Sequence, residues 1–409
     1  MTIADGSLAT LTGKPFEGTI MQIRIASSNA RDASSACDEV IQTLADGHWS
    51  LIIAGFNTEH DASLLQQRLT QAFDCPIMAG SSCLGALGIE QQTQAQAGLV
   101  LWALADHSGN YGVGACSQGD DPRQAAQQAL EKALAQSGRE YESPALLWCI
   151  LPPGQEECVL QGFSDVVGPN VPVLGGSSAD NDVSGQWQQF HRQGVGVDLI
   201  QVAVFFPSGS VGVSFSSGYQ PSGQTLVATQ VAGRQLMELD GQPAAQRFNQ
   251  CIDGAIEQQL EGGNVLALTT LHPLGRCIPM ADGPDDYLLS HPDAVTESGA
   301  LTLFSEVAQD ESLELMTGSI DGLVNRAGKV LENARQLLPK EEKPVGALMI
   351  YCAGCMLTIG EQVHAMAADV HANAAMPIMG LYTFGEQGCF VDGQNRHGNL
   401  MISAVVFGQ

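Results

Sequence analysis

Residues 51–80, LIIAGFNTEHDASLLQQRLTQAFDCPIMAG, carry a pattern that occurs three times in the chain and decides its fold. A continuous apolar run is followed by a helical stretch, and then by a proline, two apolar residues and small residues. The pattern recurs at 146–176, LLWCILPPGQEECVLQGFSDVVGPNVPVLGG, and at 348–380, LMIYCAGCMLTIGEQVHAMAADVHANAAMPIMG. Such apolar runs are typical of strands buried on both faces, and a proline is tolerated at the start of a strand. Each copy is therefore predicted to form a strand–helix–strand segment.

Each copy extends in both directions into a longer unit. A third apolar strand follows the proline strand, and a strand with a capped helix precedes the copy. The third strands are predicted at 98–104, 199–205 and 399–407, and the helix N-caps at Asp32, Asp121 and Asp321. Each unit thus reads strand–helix–strand–helix–strand–strand, with its βαβ strands paired in parallel.

Two of the units are contiguous over about 21–206, and the third covers about 311–408. The stretch between them, 207–310, contains strand-like runs and is interpreted as a fourth copy altered by insertions. The predicted fold is α/β, with repeated units in two pseudo-symmetric halves and mixed sheets that carry helices on their faces.

The composition limits the possible partners. The chain of 409 residues has 44 acidic and 17 basic residues, a formal net charge of −27. Such a surface repels phosphate backbones and anionic headgroups, so nucleic acid and membranes are poor candidate partners. Residues 1–18 lack the pattern of a secretory signal, and no apolar run reaches about 18 residues. The 11 cysteines are an odd number and do not suggest a disulfide framework. We expect a cytoplasmic protein.

Small, glycine-rich loops follow the three proline strands, at 80–85, 175–182 and 380–388. Ligands in sheets with parallel strands bind beyond the carboxyl ends of the strands. Backbone N–H groups and serine hydroxyls can hold a carboxylate or phosphate, aspartates can hold an ammonium, and aromatic rings supply apolar walls. The predicted ligand-binding residues are Gly80, Ser81, Ser82, Gly176, Ser177, Ser178, Asp180, Asp182, Tyr382, Thr383, Phe384 and Glu386. Together they suit an amino acid or a similar zwitterion; ordinary turn chemistry and aromatic packing are the alternative.

Cysteines and histidines leave two further chemistries open. Cys83 and the C-x-x-C pair Cys352 and Cys355 are candidates for a thiol-dependent reaction, but no histidine neighbours Cys83 in sequence and structural burial is the favoured interpretation of these thiols. With only one C-x-x-C, a Cys₄ zinc site is unsupported, and we predict neither a metal site nor a catalytic residue set. A haem needs one axial histidine in an apolar cavity. The candidate haem ligands are His60, His272 and His364.

Four stretches of the sequence resemble the FIST family: GSSCLGALG at 80–88, GGSSADND at 175–182, TLHPLGR at 270–276 and PIMGLYTFGEQG at 377–388. The resemblance covers about 20–400. It implies a FIST N-terminal domain over 20–218 and a FIST C-terminal domain over 219–400. FIST domains are regarded as intracellular sensory modules for small ligands, including amino acids. Gln387 stands where family members often carry an aliphatic residue, so the exact ligand preference does not carry over.

The resemblance also implies a role. The chain looks like a stand-alone sensor rather than an enzyme, one that would act on a separate signalling protein such as a histidine kinase. One branch of stand-alone bacterial FIST proteins is described as haem-binding nitric oxide sensors that control a histidine kinase. A sensor carrying haem b is therefore the alternative function, and a thiol-dependent enzyme is the second alternative.

Overall fold

The computed structural model describes residues 21–280 and 285–409. The prediction on a secretory signal, at residues 1–18, lies outside the described residues. Unit one consists of β1 (Gln22–Ser28), α1 (Ala33–Thr43), β2 (Leu51–Phe56), α2 (Ala62–Ala72), β3 (Ile77–Ser81), β4 (Ala86–Ile89), β5 (Thr93–Ala97) and β6 (Leu99–Ala105). Unit two consists of β7 (Asn110–Ser117), α3 (Pro122–Ser137), β8 (Leu146–Leu151), α4 (Glu156–Val167), β9 (Val173–Ser177), β10 (Gln189–His191), β11 (Gly194–Gly196) and β12 (Leu199–Phe206).

Unit three begins with β13 (Val211–Ser217), and a long insertion then interrupts it. The insertion contains β14 (Gln220–Ala232), β15 (Gln235–Leu239), β16 (Gln242–Pro243), α5 (Ala244–Cys251), β17 (Gly263–Asn264), α6 (Leu266–Thr269), β18 (Leu274–Ile278), β19 (Asp286–Ser290), β20 (Pro292–Val295), β21 (Leu301–Leu303) and β22 (Ser312–Thr317). Unit three continues with α7 (Ile320–Gln336), β23 (Pro344–Cys352), α8 (Ala353–Ile359), α9 (Val363–Ala374), β24 (Ile378–Thr383), β25 (Glu386–Cys389), β26 (Asn395–Gly398) and β27 (Met401–Gly408). The 3₁₀ turns are Glu257–Gln259 and Gly360–Gln362.

All three units have the same strand order, namely first strand, last strand, and then the two βαβ strands. The orders are β1-β6-β2-β3, β7-β12-β8-β9 and β13-β27-β23-β24. The predicted parallel pairing is confirmed for β2 with β3, β8 with β9 and β23 with β24. The last strand of each unit lies antiparallel between the other strands. The predicted α/β class with mixed sheets is thus confirmed.

Each unit donates a β-hairpin to the sheet of another unit. The hairpin β4–β5 of unit one extends the sheet of unit three, because β4 pairs with β24. The hairpin β10–β11 of unit two pairs with β3 of unit one. The hairpin β25–β26 of unit three pairs with β9 of unit two. The three units therefore form a closed ring, and the repeats are grouped in three rather than in two halves.

The expected fourth copy at 207–310 is wrong. Residues 211–217 form the first strand of unit three, since β13 pairs antiparallel with β27 along its whole length. Residues 312–317, which the sequence assigns to unit three, form β22 of the insertion and pair with β14 and β18. The strand pairs of the insertion are antiparallel throughout its described residues, so it lacks the βαβ segment that defines a unit.

Two of the three predicted helix caps are confirmed. Asp32 accepts a hydrogen bond from the backbone N–H of Ser35, and Asp121 accepts one from Gln124. The third prediction, Asp321, is wrong because Ser319 caps α7 and accepts from Gly322 at 3.1 Å. Asp321 lies in the first turn of α7, where a carboxylate still interacts favourably with the helix dipole.

The central core lies where the inner faces of the three sheets meet. It combines Trp102 of unit one, Trp148 and Phe205 of unit two, and Ile350 and Phe407 of unit three. The rings of Trp102 and Phe407 lie 5.3 Å apart between centroids. Helices cover the outer face of each sheet, and the insertion has a separate core of its own. Among the helices of the described ranges, none has the length and apolarity required to cross a bilayer.

Candidate functional site

The three glycine-rich loops meet at the centre of the ring. The backbone N–H of Ala179 donates to Ser81 O at 3.0 Å, and that of Phe384 donates to Ser177 O at 3.1 Å. The N–H of Cys83 donates to Tyr382 O at 3.0 Å. The loop of each unit therefore donates to the loop of the unit whose sheet receives its hairpin. The loops thus join the three units.

Side chains of these loops bond mainly within the protein. Ser82 Oγ donates to Gly85 O at 2.6 Å and accepts from the N–H of Tyr382. Ser177 Oγ donates to Glu156 Oε1 at 2.7 Å, and Ser81 Oγ accepts from the N–H of Gln188. Ser178 differs, because its Oγ is buried without a hydrogen-bond partner.

The loops are packed too closely to enclose a ligand as they stand. A Cβ atom on Gly80 would lie 2.5 Å from Ile150 Cγ2 and 2.9 Å from Ser178 Oγ. A Cβ atom on Gly176 would lie 2.5 Å from Thr383 Cγ2. Both separations are well below the contact distance of carbon atoms, so these glycines allow the units to approach each other.

The acidic and aromatic candidates of these loops also have internal partners. The carboxylate of Asp180 accepts hydrogen bonds from the N–H groups of three following loop residues, Asp182, Ser184 and Gln186. Asp182 itself is exposed. Tyr382 donates its hydroxyl proton to Ala95 O at 2.6 Å. Glu386 is fully buried, and burial raises its pKa well above the usual value, which favours the neutral acid.

A small cavity lies beside the third loop, at the carboxyl ends of β23 and β24. Thr383 and Phe384 line it together with Cys352, His291 and Asn399. Its volume is about 30 Å³, enough for one or two water-sized molecules. Burial lowers the pKa of His291 to about 4, so this ring is neutral near pH 7. Of the predicted ligand-binding residues, Thr383 and Phe384 thus line a cavity.

The three candidate haem ligands lie in three different parts of the fold, namely unit one, the insertion and unit three. His60 is buried between β2 and α2, with Nδ1 unpartnered. His272 follows α6 in the insertion, and burial lowers its pKa. His364 is exposed at the start of α9. None of the three histidines lines the small cavity beside the third loop or either of the two clefts described below, so haem binding by them stays a prediction.

The candidate thiols are buried. Burial raises the pKa of Cys83 to about 12 and that of Cys352 well above its usual value. The thiolate is the nucleophilic form, so burial disfavours a reactive thiol at both positions. Cys352 ends β23 and Cys355 lies in the first turn of α8, and both are packed in the core of unit three.

Larger cavities lie along the contact between the insertion and the ring of units. The first, named the α7 cleft, has a volume of about 720 Å³. It lies between the start of the insertion, the strand β19 and the amino-terminal half of α7. Its lining residues are Ser216, Ser217, Gly218, Tyr219, Gln220, Pro221, Asp285, Asp286, Tyr287, Asp321, Gly322, Asn325, Arg326 and Lys329.

Charged groups of both signs line the α7 cleft. Arg326 donates from Nη2 to Ser216 Oγ at 2.6 Å, while its Nε is buried without a partner. Within the described residues, no carboxylate lies within 4.0 Å of Arg326. Burial raises the pKa of Asp286, although Arg326 and the N–H of Tyr287 oppose the shift. The sequence predictions missed this cleft because they followed the repeat, and half of its lining comes from the insertion.

The second cavity, named the α4 cleft, has a volume of about 360 Å³. It lies between α4 of unit two, the β25–β26 hairpin of unit three and the insertion. Its lining residues are Glu157, Leu160, Gln161, Ser164, Pro169, Arg276, Leu288, Gln394, Asn395, Arg396 and His397.

An ion-pair cluster fastens the insertion to unit two at the edge of the α4 cleft. Arg234 donates to Glu156 Oε2 and to Glu157 Oε2, both at 2.6 Å. Burial opposes the ionised form of Glu156, but His397 and Arg234 outweigh it and lower its pKa. The pKa of Glu157 is lowered in the same way. Glu156, Glu157 and His397 lie close enough together to hold a metal ion, but both carboxylates already pair with Arg234.

The fold and the clefts together define the class of this protein. It is an α/β protein built from repeated units, with cavities of the size that small molecules occupy. The FIST N domain model matches residues 50–242, and the FIST C domain model matches residues 244–389. The chain belongs to the FIST family, whose domains are small-ligand sensory domains in signal transduction. The predicted boundary at 218–219 stays a prediction; it falls between β13 and β14.

No curated protein matches the chain. Among solved structures, a cyanuric acid hydrolase from A. caulinodans is similar, with 9% sequence identity and a TM-score of 0.35 over 94% of this chain and 98% of that chain. A similarity at this level is too low to support an inference about activity.

Proposed function

We propose that this protein is an intracellular sensor that binds an amino acid, or a similar small zwitterion, in the α7 cleft and acts on a separate signalling protein such as a histidine kinase. The observation that carries the proposal is Arg326, a guanidinium at the cleft with an unpartnered Nε. Although the chain has 44 acidic residues, Arg326 forms no salt bridge within the described residues.

Arg326 would bind the carboxylate of the ligand. A guanidinium presents N–H donors in a fixed planar fork that matches the two oxygens of a carboxylate. The Nη2 group is held by Ser216 at 2.6 Å, and this contact fixes the orientation of the fork. An anion at this position would also supply a directly paired charge for a half-buried guanidinium that forms no salt bridge with the described residues.

The ammonium group of the ligand would contact the aspartates of the same cleft, Asp285, Asp286 and Asp321. Asp286 suits this role best, because burial raises its pKa and a bound ammonium would lower it again. Tyr219 and Tyr287 supply apolar walls for the ligand side chain. The volume of about 720 Å³ lies within the usual range for small-molecule sites.

The position of the cleft also suits a signalling role. Its lining includes the chain segment 216–221, where unit three passes into the insertion. A ligand held between α7 and the insertion would favour one relative arrangement of these two parts, provided that it binds that arrangement more tightly than others. A histidine kinase could respond to such a change, in keeping with the signal-transduction role of FIST domains.

The test is a thermal-shift screen with the common amino acids, followed by calorimetric titration of those that raise the melting temperature. Arg326→Gln should lower the affinity at least tenfold, and Asp286→Asn should lower it less. Arg335→Gln, on the exposed part of the same helix, is the matched control and should bind normally. Normal binding by Arg326→Gln, or no response to any amino acid, would overturn the proposal.

Haem is the competing ligand, and the same preparation tests it. A Soret band on haem titration that is lost in the His60→Ala, His272→Ala or His364→Ala variant would favour the haem-based nitric oxide sensor instead. The amino-acid proposal predicts that no such band appears.

A further inference from the structure

Arg276, on β18 of the insertion, is a second arginine that lacks a full set of partners. Its Nη2 donates to Ser290 Oγ at 3.2 Å, and its Nε is buried with no hydrogen-bond partner. Within residues 21–280 and 285–409, no carboxylate lies within 4.0 Å of it. Burial lowers the pKa of Arg276, and the more distant Glu311 and Glu157 offset this only in part.

The other charges of the α4 cleft are already paired. Glu157 accepts from Arg234 at 2.6 Å. Arg396 donates from both Nη atoms to Asp392, at 2.8 and 2.7 Å, and its guanidinium lies 5.1 Å from the ring centroid of Phe390. Among the described charges of the lining, Arg276 is thus left without a carboxylate within 4.0 Å. An unpaired, half-buried guanidinium is costly unless an anion neutralises it.

Neutral donors complete the cleft. Gln161 and Ser164 line it from α4, and Gln394 lines it from the β25–β26 hairpin. Amide and hydroxyl groups donate to the oxygens that a guanidinium leaves free on a bound carboxylate or phosphate. The volume of about 360 Å³ accommodates a small organic anion.

We propose that the α4 cleft is a second ligand site, which takes a small anion with a carboxylate or phosphate group on Arg276. This site is separate from the α7 cleft and does not depend on the proposed amino-acid site. Because its walls come from unit two, unit three and the insertion, a bound anion would bridge all three. It would stabilise the arrangement that Arg234 also holds with Glu156 and Glu157.

The experiment measures the melting temperature of the full chain with inorganic phosphate or succinate, against sodium chloride at equal ionic strength. We expect a saturable rise with at least one of the two anions, and whichever acts identifies the preferred group. Arg276→Gln should lower the affinity at least tenfold. Without anion its melting temperature should be equal to or above that of the wild type, because an uncompensated charge is removed.

Two control variants show whether the anion acts at the α4 cleft. Arg326→Gln should keep its response to the anion, which distinguishes the α4 cleft from the α7 cleft. Gln161→Glu adds a negative charge at an exposed helix position of the lining and should weaken anion binding several-fold without affecting folding. The proposal is overturned if phosphate and succinate act no more strongly than chloride. It is equally overturned if Arg276→Gln has a lower melting temperature and an undiminished anion response, which would mark Arg276 as purely structural.

Discussion

The centre of the ring and the border of the insertion use polar groups in opposite ways. At the centre, hydrogen bonds link each loop to the next, and nearly every hydroxyl has a partner within the protein. At the border, Arg276 and Arg326 lie beside clefts, and their Nε atoms have no hydrogen-bond partner among the residues that the structure describes. The comparison indicates that the loops at the centre hold the repeated units together, whereas two clefts lie where the part that occurs once meets those units.

Symmetry gives a physical reason for this division. Three similar loops around one axis can satisfy each other through the same backbone bonds, and such packing leaves little space. The insertion occurs only once, and it packs against three different surfaces, namely α7, α4 and the β25–β26 hairpin of unit three. Gaps remain between these surfaces, and they form the two clefts. Ligand sites are common at such boundaries between structural parts.

The strongest test of the comparison is the removal of a large side chain from the core of the insertion. Phe248 is fully buried there, and Phe248→Ala should lower the free energy of unfolding of the insertion by about 4 kcal/mol. Hydrogen exchange should then show loss of protection in β14–β22, with the ring of units still protected. Phe163→Ala, in the core of unit two, is the control and should affect the ring itself. Equal loss of protection in both parts after Phe248→Ala would mean that they fold as one body.

The next test weakens the attachment of the insertion. Arg234→Gln leaves Glu156 and Glu157 without their cation and should cost about 3 kcal/mol at pH 7. The pKa of both carboxyls is lowered in the folded protein, so their stabilising contribution is present above about pH 4.5 and is lost as the pH falls below it. Urea unfolding at a series of pH values from 7 to 3 measures the free energy of unfolding of the wild type and the variant.

In Arg234→Gln, the pKa of each carboxyl should rise toward or above its value in the unfolded chain, so acidification below about pH 4.5 should cost the variant less stability than it costs the wild type. Glu332→Gln, which removes an exposed carboxyl paired with Arg335, is the control and should change stability little. An unchanged pH profile in Arg234→Gln would contradict the role given to the cluster.

A smaller effect is expected from one added methyl group at the centre of the ring. Gly176→Ala places a Cβ atom against Thr383 and should cost about 2 kcal/mol through overpacking. Gly194→Ala, where the nearest atom lies 3.9 Å away, is the matched control. If thermal unfolding finds the two variants equally stable, the loops are less closely packed than the structure indicates.

No alkylation by iodoacetamide is expected at the buried thiols of the folded protein. Cys83 and Cys352 should resist iodoacetamide at pH 8 in the folded protein, because burial raises the pKa of both thiols. The exposed Cys158 and Cys277 should react first. Mass-spectrometric mapping of the labelled sites measures this, and rapid labelling of Cys83 would support the thiol-dependent enzyme instead.

Much of the ring could be predicted from the sequence. The apolar run, the proline strand and the small residues that follow recur at fixed positions, and this is why the three βαβ segments and two helix caps agree with the structure. The predicted meeting of the loops at the strand ends also agrees, because parallel strands end at one edge of a sheet. What the repeat could not reveal is that the loops would bond to each other.

The insertion and its clefts could not be predicted in the same way. Antiparallel strands of 207–310 resemble strands of a unit in composition, and only their pairing distinguishes the two. No sequence motif surrounds Arg276 or Arg326. Each stands out because no described carboxylate lies within salt-bridge distance of it, and only the folded structure reveals that. Likewise, Arg234 meets Glu156 across 78 residues of sequence, a distance at which spacing carries no signal.

The hairpin exchange sets the time at which the molecule can be completed during translation. Leu87 pairs with Gly380, so unit one leaves the ribosome with a strand edge whose partner has not yet been synthesised. Such edges readily pair with the wrong chain, and the amino-terminal parts of a protein generally begin to fold first. The strand edge of β4 therefore stays unpaired until β24 has been synthesised, and a chain that stops before residue 378 lacks the partner of that edge.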